Sequence, residues 1–418
     1  MPEPVIYHID VNSAFLSWEA ARRLEENPDA PDIRTFPAVI GGNEEMRHGI
    51  VLAKSPSAKR YGIRTGEALA SARRKCPVLK AYPPDFDLYV RRSGEFMELL
   101  RRYAPAVEAY SIDEAFCDMT GTRNLYGDPV AFAHKLKDII HDELHFTVNI
   151  GVSTNRLLAK MASDFEKPDR VHTLFPDEIA AKFWPLPVEE LFFVGRSSAR
   201  RLRGLGITTI GELAQSDHDM IVSVLKSHGD TIWNYANGIE CTPLTHTEPA
   251  NKCYGNSMTI PFDVTDSDTA RRVLLSLCET VGARLRAAGA YISVVQVQIT
   301  DCEFHNTCRQ MTLDSSTNVT ERIYACACRL FDAAWDHSPI RLLGVSTSHA
   351  TSETYEQYDL FDNGRNEKLA KLNSAVDKIR SRYGEDSIRR ACFLGQDNDD
   401  GEISHMTGGM SRARRNDT

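Results

Sequence analysis

The sequence predicts an α+β protein of several domains. Two observations carry this reading: the order strand, helix, strand, strand, helix, strand occurs twice along the chain, and a turn-rich segment of helix signals separates the copies. The third is size, since 418 residues, at roughly 100–200 per domain, leave room for two to four domains.

The first copy opens at residues 5–11, VIYHIDV, an apolar run read as a buried strand that carries Asp10 at its end. Behind it SAFLSWEAARRL has helical spacing, with Ser13 placed as its N-cap. A basic, glycine-containing stretch covers 41–76. Helical periodicity returns at 86–103, where Phe86, Tyr89, Val90, Phe96, Leu99, Leu100 and Tyr103 recur at helical spacing. A strand pair around 106–119 follows, then a helix opened by Asp128-Pro129 and running to about 144, then a strand, FTVNIGVS, at 146–153. With 19–77 treated as an inserted small subdomain, the order is that of a ferredoxin-like sheet covered by helices on one face.

The second copy reads CYGNSMTIPF, a helix at 266–288, AYISVVQVQIT, CRQMTL, a helix at 319–334, and IRLLGVSTS. Between the copies, 169–240 is helical, and its LRGLGITTIGELA resembles the short helix, glycine turn and helix of a helix-hairpin-helix unit. Beyond 350 the chain turns polar, with one helical stretch at 366–383 and a Gly, Asp and Arg tail that reads as disordered.

Composition excludes several classes. With 42% hydrophobic and 26% charged residues, a wholly disordered chain, a collagen-like repeat and a coiled-coil rod do not fit. No apolar run approaches the ~18–20 residues that span a bilayer, and the first residues lack a basic segment followed by an apolar one, so a cytoplasmic protein with no membrane contact is expected. Ten cysteines contain no C-x-x-C pair, which points to reduced thiols and no structural zinc. The net charge of −9 repels a polyanion, so any nucleic-acid contact must use local basic patches.

The residues with the most chemical promise are Asp10, at the end of the first strand, and Asp113-Glu114 in the S-I-D-E-A run. In a ferredoxin-like sheet the first strand lies beside the hairpin strands, so the three acids can converge at one edge. Clustered carboxylates repel one another unless a cation neutralises them, and hard oxygen donors without His or Cys suit Mg²⁺ or Mn²⁺. Two such ions serve phosphoryl transfer. Adjacent strand residues point to opposite faces, so Asp113 and Glu114 need a bend to share a site; taken alone, an Asp-Glu pair is an ordinary solvated pair. In the helix after GVSTN, Ser153 is placed as N-cap, while Arg156 and Lys160, four apart, share a face that meets either phosphate or water.

IDVNSAF, YSIDEAFCDMT, GVSTNRLLAKMASDFEKPD and a helix-hairpin-helix, in that order, resemble the Y-family (DinB/UmuC-type) translesion DNA polymerases, in the style of UmuC-like and DNA polymerase IV-like bacterial members. The resemblance spans about residues 4 to 395. It implies a multidomain right-hand polymerase: a ferredoxin-like palm (1–18 and 78–168), small fingers (19–77), a helix-hairpin-helix thumb (169–240) and an α/β little finger (243–350). After these come a clamp-binding motif with a C-terminal helix (351–395) and the disordered tail (396–418). It implies two Mg²⁺ ions, with Mn²⁺ able to substitute, held by Asp10, the backbone carbonyl of Val11 and Asp113, with Glu114 completing the site for the attacking primer hydroxyl. Asn12, Lys59 and Lys167 would contact the incoming deoxynucleoside triphosphate, and Phe15 would be the steric gate under its sugar. Primer-template DNA would meet Gly195, Arg196, Arg200, Arg203 and Gly206.

Three places bear on that resemblance. In S-P-S-A-K-R-Y-G, Pro56 and Lys59 stand where many relatives carry a Tyr and an Arg; Pro56 offers neither hydroxyl nor N–H, and Lys59 lacks the guanidinium fork. Ser55, Ser57 or Arg60 are the candidates to compensate. In FFVGRSSARRLRGLGI, Phe193 replaces the first hairpin glycine. The third is a further match: Gln357, Asp359, Leu360 and Phe361 fit the Q-x-[DS]-L-F peptide that binds the bacterial sliding clamp, its Leu and Phe filling an apolar pocket. The reading is a monomeric, clamp-tethered translesion polymerase; the alternative is a catalytically inactive relative that binds DNA and the clamp as an adaptor.

Overall fold

The computed structural model describes residues 3–44, 47, 49–240, 251–352, 364–393, 403, 405 and 406. Strand β1 (Ile6–Val11) is buried along its whole length, as its apolar run requires of a central strand. The insertion contributes β2 (Ala38–Gly41), β3 (Val51–Lys54) and β4 (Lys80–Tyr82), a three-stranded sheet in the order β3-β2-β4. Then come β5 (Ala106–Ala109), β6 (Glu114–Asp118), β7 (Val148–Ser153) and β8 (Val171–Thr173), which join β1 in a five-stranded sheet ordered β5-β6-β1-β7-β8. The sheet therefore has one strand more than the split motif, because β8 pairs parallel with β7 beyond residue 168.

The helix Phe86–Tyr103 forms over the expected span, with Asp85 accepting from the Leu88 amide at 3.0 Å. Asp128 caps Pro129–Leu144 in the same way, with the proline in the first turn where its missing N–H costs nothing. These helices and Ala14–Glu26 bury Trp18, Tyr89, Phe96 and Phe146 against the sheet, each such side chain contributing about 1.5–3 kcal/mol. Gly151 lets the helix Arg156–Ser163 lie close on β7; a Cβ there would stand 1.9 Å from the Ala159 carbonyl oxygen.

Two caps differ from expectation. Ser13 precedes the helix Ala14–Glu26 with φ 50° and makes no side-chain cap, because a left-handed residue aims its hydroxyl away from the first-turn amides. Ser153 ends β7 and gives its hydroxyl to the Leu174 carbonyl; Asn155 is the residue that caps Arg156–Ser163, at 2.8 Å from the Leu158 amide. The division at 18/19 falls inside a continuous helix, and β4 extends the small sheet past 77.

The helical segment holds Arg196–Gly204, Ile210–Ala214, His218–Leu225 and Ser227–Ala236, with Thr209 and Glu212 forming a capping box. Its core takes Leu157, Leu158 and Met161 from the helix Arg156–Ser163, so it is keyed to the first sheet domain.

The second sheet, β9 (Cys253–Val264), β10 (Ile292–Asp301), β11 (Asn306–Thr317) and β12 (Ile340–Ser348), is antiparallel in the order β11-β10-β12-β9. The helices Ser267–Ala287 and Thr320–Ala334 share its core through Leu274, Val281, Ile323 and Phe331. The helix Arg365–Tyr383 docks beside them through polar groups. Glu279, 4% exposed, receives Arg380 at 2.7 Å and Arg390 at 2.6 Å, and Asn373 bonds Glu321 at 3.0 Å. Of the tail read as disordered, Ile403, His405 and Met406 are the described residues, and all three are buried, Ile403 in the second core and His405 on the Glu385 carbonyl at 3.0 Å; the rest of it lies outside the described residues. Average composition hides such single side chains. No helix among the described residues is long and apolar enough to cross a membrane, and their cysteines are free thiols.

Candidate active site

Asp10 lies at the C-terminal end of β1, where the sheet meets the inserted small domain. It borders a cavity of about 610 Å³ together with Val11, Asn12, Phe15, Lys59, Asp113 and Lys167. Seven of the residues expected at the site thus share one space. Asn12 is held by Asn149 at 3.1 Å and accepts from the Asp169 amide at 2.9 Å. The Phe15 ring stacks on Tyr89 with centroids 4.4 Å apart and planes 4° from parallel. The Val11 amide donates to the Asp113 carbonyl at 3.0 Å, stitching the two acid-bearing segments together.

The bend needed between Asp113 and Glu114 is present, because β6 starts at Glu114 and residues 111–113 form an irregular turn. The two acids take different partners there. Asp113 borders the cavity with its carboxylate accepting from Ser111 at 2.7 Å. Glu114, though opposite Asp10 in the ladder, accepts from Lys160 at 3.1 Å and faces buried His8 at 3.8 Å. Of the three acids expected to converge, Asp10, paired with Lys167, and Asp113 border the cavity, while Glu114 lies beside them on β6, paired with Lys160. Among the described residues no group of three His, Cys, Asp or Glu side chains is placed to hold a metal.

Burial pushes the Asp10 carboxyl up to about 6, against the opposing charge and 2.5 Å contact of Lys167; Glu114 and Asp113 add to the rise. Burial also raises Asp113, with the Glu114 charge adding to it against the Ser111 hydrogen bond. Burial opposes the charge of Glu114 too, but His8 and Lys160 outweigh it and hold that carboxyl down at about 2. The cavity thus keeps two hard-oxygen acids whose charged forms are disfavoured by burial and by the nearby Glu114 charge, and this donor chemistry fits a hard divalent cation.

Arg156 and Lys160 turn inward onto side chains of the protein. Arg156 pairs with Glu108 at 2.7 Å over the Phe116 ring, and Lys160, 8% exposed, lies over Tyr110 and Phe192. Lys54, Arg60 and Thr65 also border the cavity. Lys54 and Thr65 carry no motif of their own; the signal that could have found Lys54 is its place at the end of an apolar strand entering the S-P turn.

Phe193 sits at φ 73°, the left-handed conformation a glycine adopts freely, with its ring 56% exposed and edge-on to Phe192 and Tyr235. Gly195 precedes the helix Arg196–Gly204, on which Arg196, Arg200, Arg201 and Arg203 are exposed, and Gly206 closes it at φ 82°. Arg203 pairs with Glu189. Gln357, Asp359, Leu360 and Phe361 lie outside the described residues.

The sequence matches the impB/mucB/samB family over residues 9–164 and the C-terminal domain of that family over residues 251–360. A DNA polymerase IV of Clostridium acetobutylicum is 46% identical over 391 residues, covering 93% of this chain and 98% of the relative. A DNA polymerase IV of Acetivibrio thermocellus is 36% identical over 395 residues, covering 93% and 97%. Among solved structures, the Y-family DNA polymerase chimera Dbh-Dpo4(243-245)-Dbh shares the fold, with a TM-score of 0.71 at 20% identity over 84% of this chain and 100% of that one. The chain belongs to the impB/mucB/samB family and is a DinB-like member of the Y-family polymerases, a translesion DNA-directed DNA polymerase.

Proposed function

We propose that the chain extends a primer 3' end on a DNA template by two-metal phosphoryl transfer, working in the cytoplasm as a monomer held on DNA by the bacterial sliding clamp. The observation that carries the chemistry is the shared cavity of Asp10 and Asp113, faced by Lys59 and Lys167. When bound there, two Mg²⁺ ions, or Mn²⁺ in their place, supply Lewis-acid activation of an attacking oxygen and neutralise charge on the departing one.

Asp10, Asp113 and the Val11 carbonyl are the residues that would hold the ions. Glu114, positioned by Lys160 and His8, completes the acid set on the neighbouring strand. Lys167, which neutralises Asp10 in the free protein, and Lys59 attract the triphosphate, while Asn12 fixes the turn beneath it. The Phe15 ring, braced by Tyr89, stands under the sugar and leaves no room for a 2'-hydroxyl. The exposed arginines after Gly195 give an acidic protein a local basic face for duplex backbone. Asp10 and Asp113 in one cavity favour this reading over the inactive adaptor.

Primer extension on a defined template with Mg²⁺ tests it, comparing the parent with Asp113→Ala. Extension by the parent and at least a ~10³-fold loss in the variant is the expected result. Extension that persists in the variant removes Asp113 from the site, and a folded, DNA-binding parent that never extends restores the adaptor.

A further inference from the structure

Pro56 leaves the phosphate end of the proposed nucleotide site without the tyrosine that many members of the resembled family carry, and the structure shows which side chains stand free to replace it. Ser55 is fully buried and already committed. Its hydroxyl donates to the Phe36 carbonyl at 2.8 Å and accepts from the Ala38 and Ala58 amides at 3.1 and 3.0 Å. Ser57 gives its hydroxyl to the Thr35 carbonyl at 3.1 Å and does not border the cavity. Neither serine is available.

Lys54 is. It is the last residue of β3 and borders the same cavity as Lys59, Arg60, Asp10 and Asp113. Its ammonium is steadied by the Thr65 hydroxyl at 3.2 Å. Among the described residues no carboxylate lies within ion-pairing distance of Lys54, Lys59 or Arg60, whereas Lys75 and Lys167 at the margins of the same region are paired with Glu67 and Asp10. Burial lowers the Lys54 pKa and the Lys59 charge lowers it further, outweighing the opposing charge of Glu67, so the two cations stand near enough to repel each other. Two ammonium groups facing one cavity, neither in a direct ion pair among the described residues, form a poor arrangement by themselves and a favourable one around a polyphosphate.

Resting on the reading of this cavity as a nucleotide site, we propose that Lys54, oriented by Thr65, is a triphosphate-binding residue that pairs with Lys59 to replace the tyrosine–arginine grip. Two point charges attract phosphate without the directional fork of a guanidinium or the neutral donor of a phenol. The grip is accordingly more electrostatic: tight at low salt and weakened steeply as salt rises.

The test measures single-nucleotide insertion by the parent, Lys54→Gln, Lys54→Arg and Thr65→Val across a salt series. Binding of inorganic tripolyphosphate to the DNA-free protein gives a readout independent of chemistry. Lys54→Gln should raise the nucleotide KM about 10-fold with kcat within about 3-fold, the scale of one charge-assisted hydrogen bond. It should weaken tripolyphosphate comparably and flatten the salt dependence of both, while Lys54→Arg retains most of the affinity and Thr65→Val falls between. Unchanged KM and tripolyphosphate affinity in a Lys54→Gln protein with parental melting temperature overturns the assignment, as does a loss confined to kcat. A parent that neither extends primers nor binds tripolyphosphate sinks the nucleotide-site reading itself, a result distinguishable from failure of Lys54 alone.

Discussion

The Lys160 ammonium lies 3.1 Å from the Glu114 carboxylate, and this pair decides where the third acid of the site points. Lys160→Met leaves Glu114 partly buried without its cation. The expected loss is about 1–3 kcal/mol, below the range for a fully buried pair because Glu114 retains some solvent contact. Adding Glu114→Gln should recover most of that stability without restoring primer extension. A double-mutant cycle by urea denaturation measures the coupling, and a value near zero removes Lys160 as the residue that positions Glu114.

Phe15→Ala should admit ribonucleotides. Sugar discrimination is expected to fall by about 10²-fold or more, the scale of steric rejection worth roughly 3 kcal/mol, with deoxynucleotide insertion reduced far less. Insertion kinetics with paired ribo- and deoxynucleoside triphosphates give the ratio. An unchanged ratio would take the gate role away from the ring stacked on Tyr89.

Glu279 supplies a pH dependence outside the active site. Burial opposes its charge, but Arg390 and Arg380 outweigh it and hold the carboxyl below its usual value. A depressed folded-state pKa adds stability above the unfolded-state pKa, near 4.3 on roughly the ordinary glutamate scale, and loses it as pH falls through the folded value. Urea midpoints measured from pH 7 down to pH 3 should show a steeper acid limb in the parent than in Glu279→Gln. Parallel curves for the two proteins would show that the carboxylate carries no such linkage.

Phe193 at φ 73° predicts an inverted ranking of small residues. Phe193→Gly should be more stable than Phe193→Ala by about 1 kcal/mol, because glycine alone adopts this backbone without strain. Thermal melts of the two variants decide it, and Ala equal to or above Gly would mean that the turn relaxes when the ring is removed.

Replacing Leu360 and Phe361 together by Ala should abolish clamp binding and leave clamp-free extension at the parental level, since neither residue is needed to bring Asp10 and Asp113 together. Surface-bound clamp and a primer-extension assay without clamp separate the two effects. Retained clamp affinity would place the contact in another segment.

Elements governed by local physics were legible in the sequence. The helix Phe86–Tyr103 follows from its spacing and the cap at Asp85, and Pro129–Leu144 from Asp128-Pro129. What required neighbours distant in the chain was not. Whether a serine caps a helix depends on its φ and on competing carbonyls, so Ser13 and Ser153 misled. The same is true of the site: the turn at 111–113 sets Asp113 on the cavity, and Lys160 approaches across the sheet to pair with Glu114. Neither is visible in S-I-D-E-A. Lys54 carries no motif, and its relevance arises from a cavity assembled by two separate sheets.

The docking of the helix Arg365–Tyr383 bears on how the proposed clamp peptide ought to be removed in practice. A stop codon placed just before the peptide also discards Arg380 and Arg390, stranding the Glu279 carboxylate among apolar neighbours. Such a shortened protein would be prone to aggregate or to be degraded, mimicking a tethering defect in a cell. Point replacements that leave the downstream helix seated keep loss of recruitment separate from loss of the fold.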